Sequence, residues 1–188
     1  MRKRARWYAI AACVAVAAAG GTVAALELPY VNWKPVVPPI ASEPLVIRRD
    51  AKGDGRFEAS RNSNRKHRGV DLAGALDTPV RAVRSGRVLE VGNHRGLGRF
   101  VVLQHDAGLR TLYAHLNSTS VAEGARIAQG SVIGALGKTG NARSPLITPH
   151  VHFEATRDGA VIDPQSLGLQ FQDTAVATTE TADARGGE

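Results

Sequence analysis

Short apolar stretches separated by glycines make up the middle of the chain. Residues 86–92, 100–104 and 111–115 are rich in Val, Leu, Thr and Tyr, and turn residues bound them, as is typical of strands. No part of this middle region repeats its apolar residues with the period of a helix. The pattern predicts an all-β domain over residues 47–168, a small sandwich or barrel of antiparallel sheet.

The segments that flank this region lack its alternation. Residues 28–46 contain five prolines, which remove backbone donors and favour an extended chain, so we predict a Pro-rich linker there. Residues 169–188 are mostly Thr, Ala, Glu, Asp and Gly without apolar periodicity. Such a composition predicts a disordered tail.

The N-terminal residues 1–27 have the features of an export segment. A cationic start, Met-Arg-Lys-Arg-Ala-Arg, precedes a run from Trp7 to Leu26 that carries no charge. About 20 apolar residues suffice to cross a bilayer, so the segment can remain as an inner-membrane anchor with its cations in the cytoplasm. Alternatively, small residues at 23–25 offer a cleavage site, and the domain is then secreted. The length of the run favours retention, with the domain in the periplasm.

Charge and cysteine content narrow the classes of function. The net charge is +7, but four basic residues belong to the N-terminal segment. The other basic residues include a cluster that suits either an anionic polymer or a solvated loop: Arg56, Arg61, Arg65, Lys66 and Arg68. Aromatic residues make up only 5% of the chain, so we expect no nucleic-acid partner. Cys13 is the single cysteine, which excludes an intramolecular disulfide.

Two histidine motifs suggest a metal site. His67 and Asp71 are four positions apart, roughly 13 Å on an extended strand, so both reach one ion only if the backbone curls, which Gly69 permits. His150 and His152 are two apart, and on a strand they face the same side at roughly 6.5–7 Å. That separation suits one ligand and one histidine that reaches the ligand water, although a surface pair is the simpler alternative.

The available ligand types indicate catalytic zinc. Three nitrogen or oxygen ligands with a fourth position left to water describe a catalytic site, whereas structural zinc sites are closed and rich in sulfur. The predicted domain has no cysteine. His67, Asp71 and one of the two strand histidines would form the open set for one zinc ion, and His115 is then free to act on substrate or water.

Three separated elements resemble one family. His67–Asp71 (His-Arg-Gly-Val-Asp), Tyr113–Leu116 (Tyr-Ala-His-Leu) and Pro149–Glu154 (Pro-His-Val-His-Phe-Glu) occur in the order and rough spacing of the lysostaphin/LytM-type zinc metallopeptidases. The similarity spans residues 57–164. It implies the all-β fold of that family, with its duplicated hybrid motif.

The resemblance also implies roles and a reaction. His67, Asp71 and His152 would hold the zinc, and His115 and His150 would be catalytic. The implied activity is that of a zinc metalloendopeptidase that hydrolyses peptide crosslinks or stem peptides of bacterial peptidoglycan by metal-activated water. The alternative is a non-catalytic LytM-like envelope protein that binds peptidoglycan or activates a partner hydrolase. The presence of all five residues favours the enzyme.

Other polar residues near these motifs receive lesser roles. Glu154 shares a strand face with His152 and would orient its imidazole. Arg61 either binds a substrate carboxylate or is solvated. His94 and His105 match no motif, and we expect both to be ordinary loop or strand-end residues. Tyr113 is expected in the core or behind the site, and the long apolar loop at 142–148 should line the cleft rim.

Overall fold

The computed structural model describes residues 35–42, 44–61 and 64–173. The predicted export segment and the start of the Pro-rich linker lie outside these ranges, as do residues 174–188 of the predicted tail. Across the three described ranges, no helix has the length and apolar character required to span a membrane.

Short β-strands dominate the described residues, which confirms the predicted all-β class. Two 3-10 turns cover Gly140–Arg143 and Pro164–Leu167. The strands are β1 (Leu45–Ile47), β2 (Arg49–Asp50), β3 (Gly53–Asp54), β4 (Gly69–Ala73), β5 (Pro79–Arg81), β6 (Gly86–His94), β7 (Gly98–Gln104), β8 (Leu109–Leu116), β9 (Ser118–Thr119), β10 (Arg126–Ile127), β11 (Val132–Ala135), β12 (His150–Arg157), β13 (Ala160–Ile162) and β14 (Phe171–Asp173).

One large sheet organises the domain. Its strand order is β10-β6-β7-β8-β12-β4-β1-β14, and β13 also pairs with β12. Neighbours run antiparallel except β1 and β14, which are parallel. A second sheet has the order β5-β11-β9, and β2 and β3 form a two-stranded ribbon. The central position of β12, between β8 and β4, gives the motif histidines a rigid support.

The core lies on the face of β12 opposite to its histidines. Val151 and Phe153 are fully buried, whereas His150 and His152 point to the other side of the strand. Each such large apolar side chain contributes about 1.5–3 kcal/mol when it leaves water. The buried cluster joins both sheets through Val70, Leu72, Val80, Val101, Leu103, Tyr113, Leu116, Ile133 and Leu136.

The folded domain extends further at both ends than the sequence predicts. Within the predicted linker, Ile40 is 1% exposed and bridges to Val80, and Leu45 opens β1. Within the predicted tail, Leu169 is buried and β14 pairs with β1. Sequence periodicity misses these residues because each strand is only three residues long and is held by backbone pairing with a partner distant in the chain.

Candidate metal centre

Strands β4 and β12 place two of the predicted ligands side by side. Asp71 is directly opposite His152 in the antiparallel register, so their side chains leave the same face. His67 lies just before β4. Two backbone hydrogen bonds hold it there: Glu58 N donates to His67 O, and His67 N donates to Ala59 O, each at 2.9 Å.

Gly69 has a different role from the one predicted. Its φ is not positive, so it does not supply an unusual turn between His67 and Asp71. Instead, a methyl group at Gly69 would collide with the carbonyl oxygen of Phe153 on β12. The glycine therefore permits the close pairing of β4 with β12, and this pairing brings the predicted ligands together.

Three side-chain atoms converge as a zinc site requires. Asp71 Oδ1 lies 2.8 Å from His152 Nδ1 and 3.2 Å from His67 Nε2, and the two ring nitrogens are 3.0 Å apart. Ligands at about 2.0–2.2 Å from a tetrahedral zinc lie roughly 3.3 Å from one another. All three residues are buried, and among the described residues they form the one group with metal-binding geometry.

In His67 and His152, the outer ring nitrogen, which points away from Asp71, indicates whether the inner one carries a lone pair. His67 Nδ1 lies 2.8 Å from the carbonyl oxygen of Arg56, which can only accept a hydrogen bond. His152 Nε2 lies 2.9 Å from Glu154 Oε1, as predicted for an orienting carboxylate. Each outer nitrogen therefore donates, so each ring in its neutral form directs a lone pair towards the Asp71 oxygen. Three converging acceptors require a cation or a proton between them, so the residues fit zinc.

The electrostatics of the metal-free site agree with this picture. Burial raises the pKa of Asp71, but hydrogen bonds with His152 and His67 outweigh that effect and hold the pKa well below its usual range. Burial lowers the pKa of His152, but its bonds to Asp71 and Glu154 prevail and raise the pKa to about 9. A proton on His152 thus occupies the place of the cation at neutral pH.

Two arginines contact the other oxygen of the Asp71 carboxylate. Arg48 donates to Asp71 Oδ2 at 2.9 Å, and Arg61 donates to the same atom at 3.3 Å and to the carbonyl of Asp54 at 2.7 Å. Arg61 is therefore held by the protein rather than simply solvated. Arg48 is a site residue that sequence reasoning misses. Its position at a predicted linker–strand junction carries no motif, and only its burial in the fold reveals the contact.

The two predicted catalytic histidines lie beside the triad. The rings of His150 and His115 are 4.9 Å apart, and His115 lies 5.9 Å from His152. His150 Nδ1 donates to Thr148 O at 2.7 Å, and His115 Nδ1 donates to Thr139 O at 3.0 Å. Both neutral rings therefore keep an Nε2 lone pair. That of His150 is 3.9 Å from Asp71 Oδ1.

A distortion of β8 orients His115. The pairing of β7 with β8 shifts register between Arg99 and Val101, as at a β-bulge, and His115 itself has φ of 62°. Bulges re-aim side chains, and a left-handed histidine costs backbone energy that the surrounding structure must offset. Its backbone N–H is satisfied by Leu97 O at 2.8 Å. The bulge therefore turns His115 towards the site.

Burial keeps both catalytic candidates unprotonated. Desolvation, together with His150 and His152 nearby, lowers the pKa of His115 to about 3. Desolvation also lowers the pKa of His150, although Asp71 and Thr148 oppose the effect. At neutral pH both rings are proton acceptors.

The remaining histidines lie away from the triad. His94 is exposed and accepts a hydrogen bond from Gly96 N. His105 is buried and bonds to Ser85 O and Thr111 Oγ1. Thr111 donates to the hydroxyl of Tyr113, a fully buried core residue as predicted, so His105 belongs to a structural network.

Comparison with known proteins places the chain in a family. A profile of peptidase family M23 matches residues 65–164. The chain belongs to peptidase family M23, which confirms the lysostaphin/LytM-type resemblance.

Individual relatives agree with this assignment. The DD-carboxypeptidase/endopeptidase Mpg of Neisseria meningitidis is 39% identical over 128 residues, which cover 68% of this chain and 29% of that protein. A zinc-containing peptidase from Vibrio cholerae has a TM-score of 0.56 at 26% identity, with 69% of this chain and 39% of that chain covered. The lysostaphin catalytic domain from Staphylococcus simulans has a TM-score of 0.52 at 30% identity, with 64% and 92% covered. The chain thus spans about a third of the length of the first curated relative.

Proposed function

We propose that this protein is a zinc metalloendopeptidase that hydrolyses peptide crosslinks or stem peptides of bacterial peptidoglycan. The observation that carries the proposal is the arrangement of three converging acceptors, His67 Nε2, Asp71 Oδ1 and His152 Nδ1, beside the unprotonated rings of His115 and His150. Membership of a peptidase family and similarity to a relative named as an endopeptidase support the same reaction.

The chemistry divides between the ligand set and the two further histidines. When bound, zinc acts as a Lewis acid towards a carbonyl oxygen and lowers the pKa of water towards about 7. His67, Asp71 and His152 would hold it. His150 and His115 orient the attacking water, the Nε2 of one ring accepts its proton as the oxygen bonds to the carbonyl carbon, and that proton passes to the leaving nitrogen as the C–N bond breaks. A positioned acid/base of this kind contributes about 100- to 10,000-fold in rate.

Digestion of purified peptidoglycan by the zinc-loaded chain tests the proposal. Mass analysis of the soluble fragments identifies the bond that is cleaved. His150→Ala and His115→Ala should abolish fragment release while zinc content and folding persist. Asp71→Ala should lose both zinc and activity, because it removes a ligand. His94→Ala is the matched control, since this histidine is exposed and lies outside the site.

One outcome would favour the non-catalytic alternative. In that outcome, the zinc-loaded wild type releases no fragments from any type of peptidoglycan, and the wild type and all variants bind the polymer equally well. Zinc well below one equivalent per chain, unchanged by His152→Ala, would contradict the proposed ligand set.

We also propose that the domain acts outside the cytoplasm, anchored to the inner membrane or released by cleavage of residues 1–27. The cationic flank and uncharged run of that segment support this location, as does a peptidoglycan substrate. A reporter that requires export, fused after Pro44, should be active. Activity only of a reporter that works in the cytoplasm would contradict the proposed location.

A further inference from the structure

The metal centre lies where two surface depressions meet. One has a volume of about 280 Å³ and contains His115 and His150, and the other has a volume of about 600 Å³ and borders Arg65 and Lys66. Residues common to both walls are Lys52, Arg61, His67, Asn141 and His152. Because two ligands of the triad belong to both walls, the depressions form one cleft with the metal site at its junction.

The two arms of this cleft differ in charge. Lys52, at the junction, and Arg65 and Lys66, in the larger depression, are exposed, and none of them makes an ion pair with a described residue. We call these three residues the basic arm. The smaller depression continues past Gly96, Leu97, Ala142 and Ile147, which carry no charge, so the long apolar loop lines the rim as predicted.

Two neighbouring arginines, by contrast, already contact acidic residues. Arg61 is engaged by Asp54 and Asp71, and Arg68 lies 3.6 Å from Glu154. Unpaired cations beside a cleft attract anionic groups, and this attraction weakens with salt. Within the two depressions that meet at the metal centre, the basic arm is thus the part of the wall with charge available for a ligand, whereas the exposed Arg95 lines a third depression that adjoins the smaller one at Gly96 and Asn141.

We infer that the basic arm binds a free carboxylate of the substrate. This inference rests on the proposed function, since a chain with its carbonyl at the junction must extend along both arms. The favoured substrates are therefore cross-linked stem peptides that keep a free carboxyl group beside the crosslink. Uncharged bridges, such as oligoglycine, lack a group for Lys52, Arg65 and Lys66.

Two cross-linked stem-peptide probes test the inference with the full zinc-loaded chain. They differ only in whether the carboxyl group beside the crosslink is free or converted to a carboxamide. The free acid should have a higher kcat/KM, through KM, by roughly two- to fivefold for each exposed pair it forms. Lys52→Met and Arg65→Gln should reduce this preference, and Lys52→Glu should reverse it. Arg157→Gln, an exposed change at the far end of β12, is the control.

Failure of this inference differs from failure of the proposed function. Equal cleavage of both probes, unchanged by Lys52→Glu, would overturn the carboxylate site while the peptidase remains. If neither probe is cleaved, NMR titrations measure how tightly the chain binds each probe and thereby test the carboxylate site. Tighter binding of the free acid that Lys52→Met removes would support the site, and equal binding would overturn it.

A buried ion pair carries a second, independent inference. Arg48 Nη1 lies 2.7 Å from Asp50 Oδ2, and Arg48 Nη2 lies 2.9 Å from Asp71 Oδ2. Asp50 Oδ2 also accepts from Thr148 N at 2.9 Å, and Thr148 O accepts from His150 Nδ1 at 2.7 Å. One chain of contacts therefore joins a metal ligand to a catalytic histidine. Only 6% of the Arg48 side chain and 11% of that of Asp50 are exposed.

We propose that Arg48 and Asp50 are positioning residues that act on both halves of the site. Arg48, at a shorter distance than Arg61, holds Asp71 Oδ2, so the carboxylate would offer only Oδ1 to the ion. Asp50 holds the backbone at Thr148, whose carbonyl fixes the tautomer and direction of the His150 ring. This inference also rests on the proposed zinc site.

Zinc affinity and spectroscopy test these roles without relying on activity. Arg48→Lys keeps the charge but cannot span both carboxylates, and should weaken zinc binding roughly 10- to 100-fold. It should also alter the visible spectrum of the Co²⁺-loaded chain, because coordination changes when Asp71 binds through both oxygens. Asp50→Asn should leave zinc affinity within about threefold, shift the ¹⁵N resonances of the His150 ring and lower kcat with little change in KM.

Arg49→Gln is the matched control, because this neighbouring arginine pairs with Asp54 and Asp173 instead. Zinc affinity and the Co²⁺ spectrum should stay as in the wild type. A wild-type Co²⁺ spectrum in Arg48→Lys would overturn the role assigned to Arg48. Unchanged His150 resonances in Asp50→Asn would overturn the role assigned to Asp50.

Discussion

Replacement of Glu154 by alanine should weaken zinc binding without unfolding the domain. Glu154 Oε1 lies 2.9 Å from His152 Nε2, on the side of the ring opposite to the ligand nitrogen. Burial raises the pKa of Glu154, but the bond from His152 outweighs burial and lowers it, so the carboxylate is ionised. An ionised acceptor fixes the ring and increases the basicity of Nδ1.

The expected loss is about 10- to 100-fold in zinc affinity, which corresponds to about 1.4–2.8 kcal/mol. We expect the upper part of this range, because only 15% of the Glu154 side chain is exposed and water replaces it poorly. Glu154→Gln keeps an acceptor oxygen but loses the charge, and its loss should fall between wild type and Glu154→Ala.

Competition with a chromophoric chelator at constant pH measures these affinities. Arg68→Gln is the control: its guanidinium is 3.6 Å from Glu154 Oε2, but the side chain is 63% exposed, so the effect should stay under about threefold. The reasoning would be refuted if Glu154→Ala bound zinc as the wild type does while His152→Ala lost it.

Three further predictions concern the stability of the domain, its binding of zinc and the release of protons. Tyr113→Phe leaves the buried N–H of Val83 without its 3.0 Å acceptor and should lower the free energy of unfolding, measured in urea, by about 1–3 kcal/mol. An unchanged unfolding midpoint would contradict the role of this hydrogen bond. Gly69→Ala should destabilise the domain by about 1–3 kcal/mol or more and reduce zinc binding, because the new methyl group collides with the backbone of β12. Zinc loading at neutral pH should release about one proton, because His152 with a pKa of about 9 must lose its proton to bind. Affinity should rise with pH up to about 9, and calorimetry in buffers of different ionisation enthalpy that showed no release would contradict this reasoning.

Local sequence determined the fold class and the identity of the five site candidates. The alternation that separates Val151 and Phe153 from His150 and His152 is a property of strand geometry, so the order of residues along the chain is enough to predict it. The placement of Glu154 on the same strand face as His152 followed from the same periodicity. The motif order then indicated the family that the profile match confirmed.

Contacts between distant segments were decided only by the tertiary structure. Arg48 reaches Asp71 across 23 positions, and Asp50 reaches Thr148 across 98, so no local pattern could join them. Strands β1 and β14 are too short to show a period and exist because each pairs with a remote partner. Gly69 was predicted to let the backbone curl, but a glycine is needed there because a side chain would collide with the carbonyl oxygen of Phe153 on β12. Side-chain type and spacing are local properties, whereas the approach of two strands depends on the packing of the whole sheet.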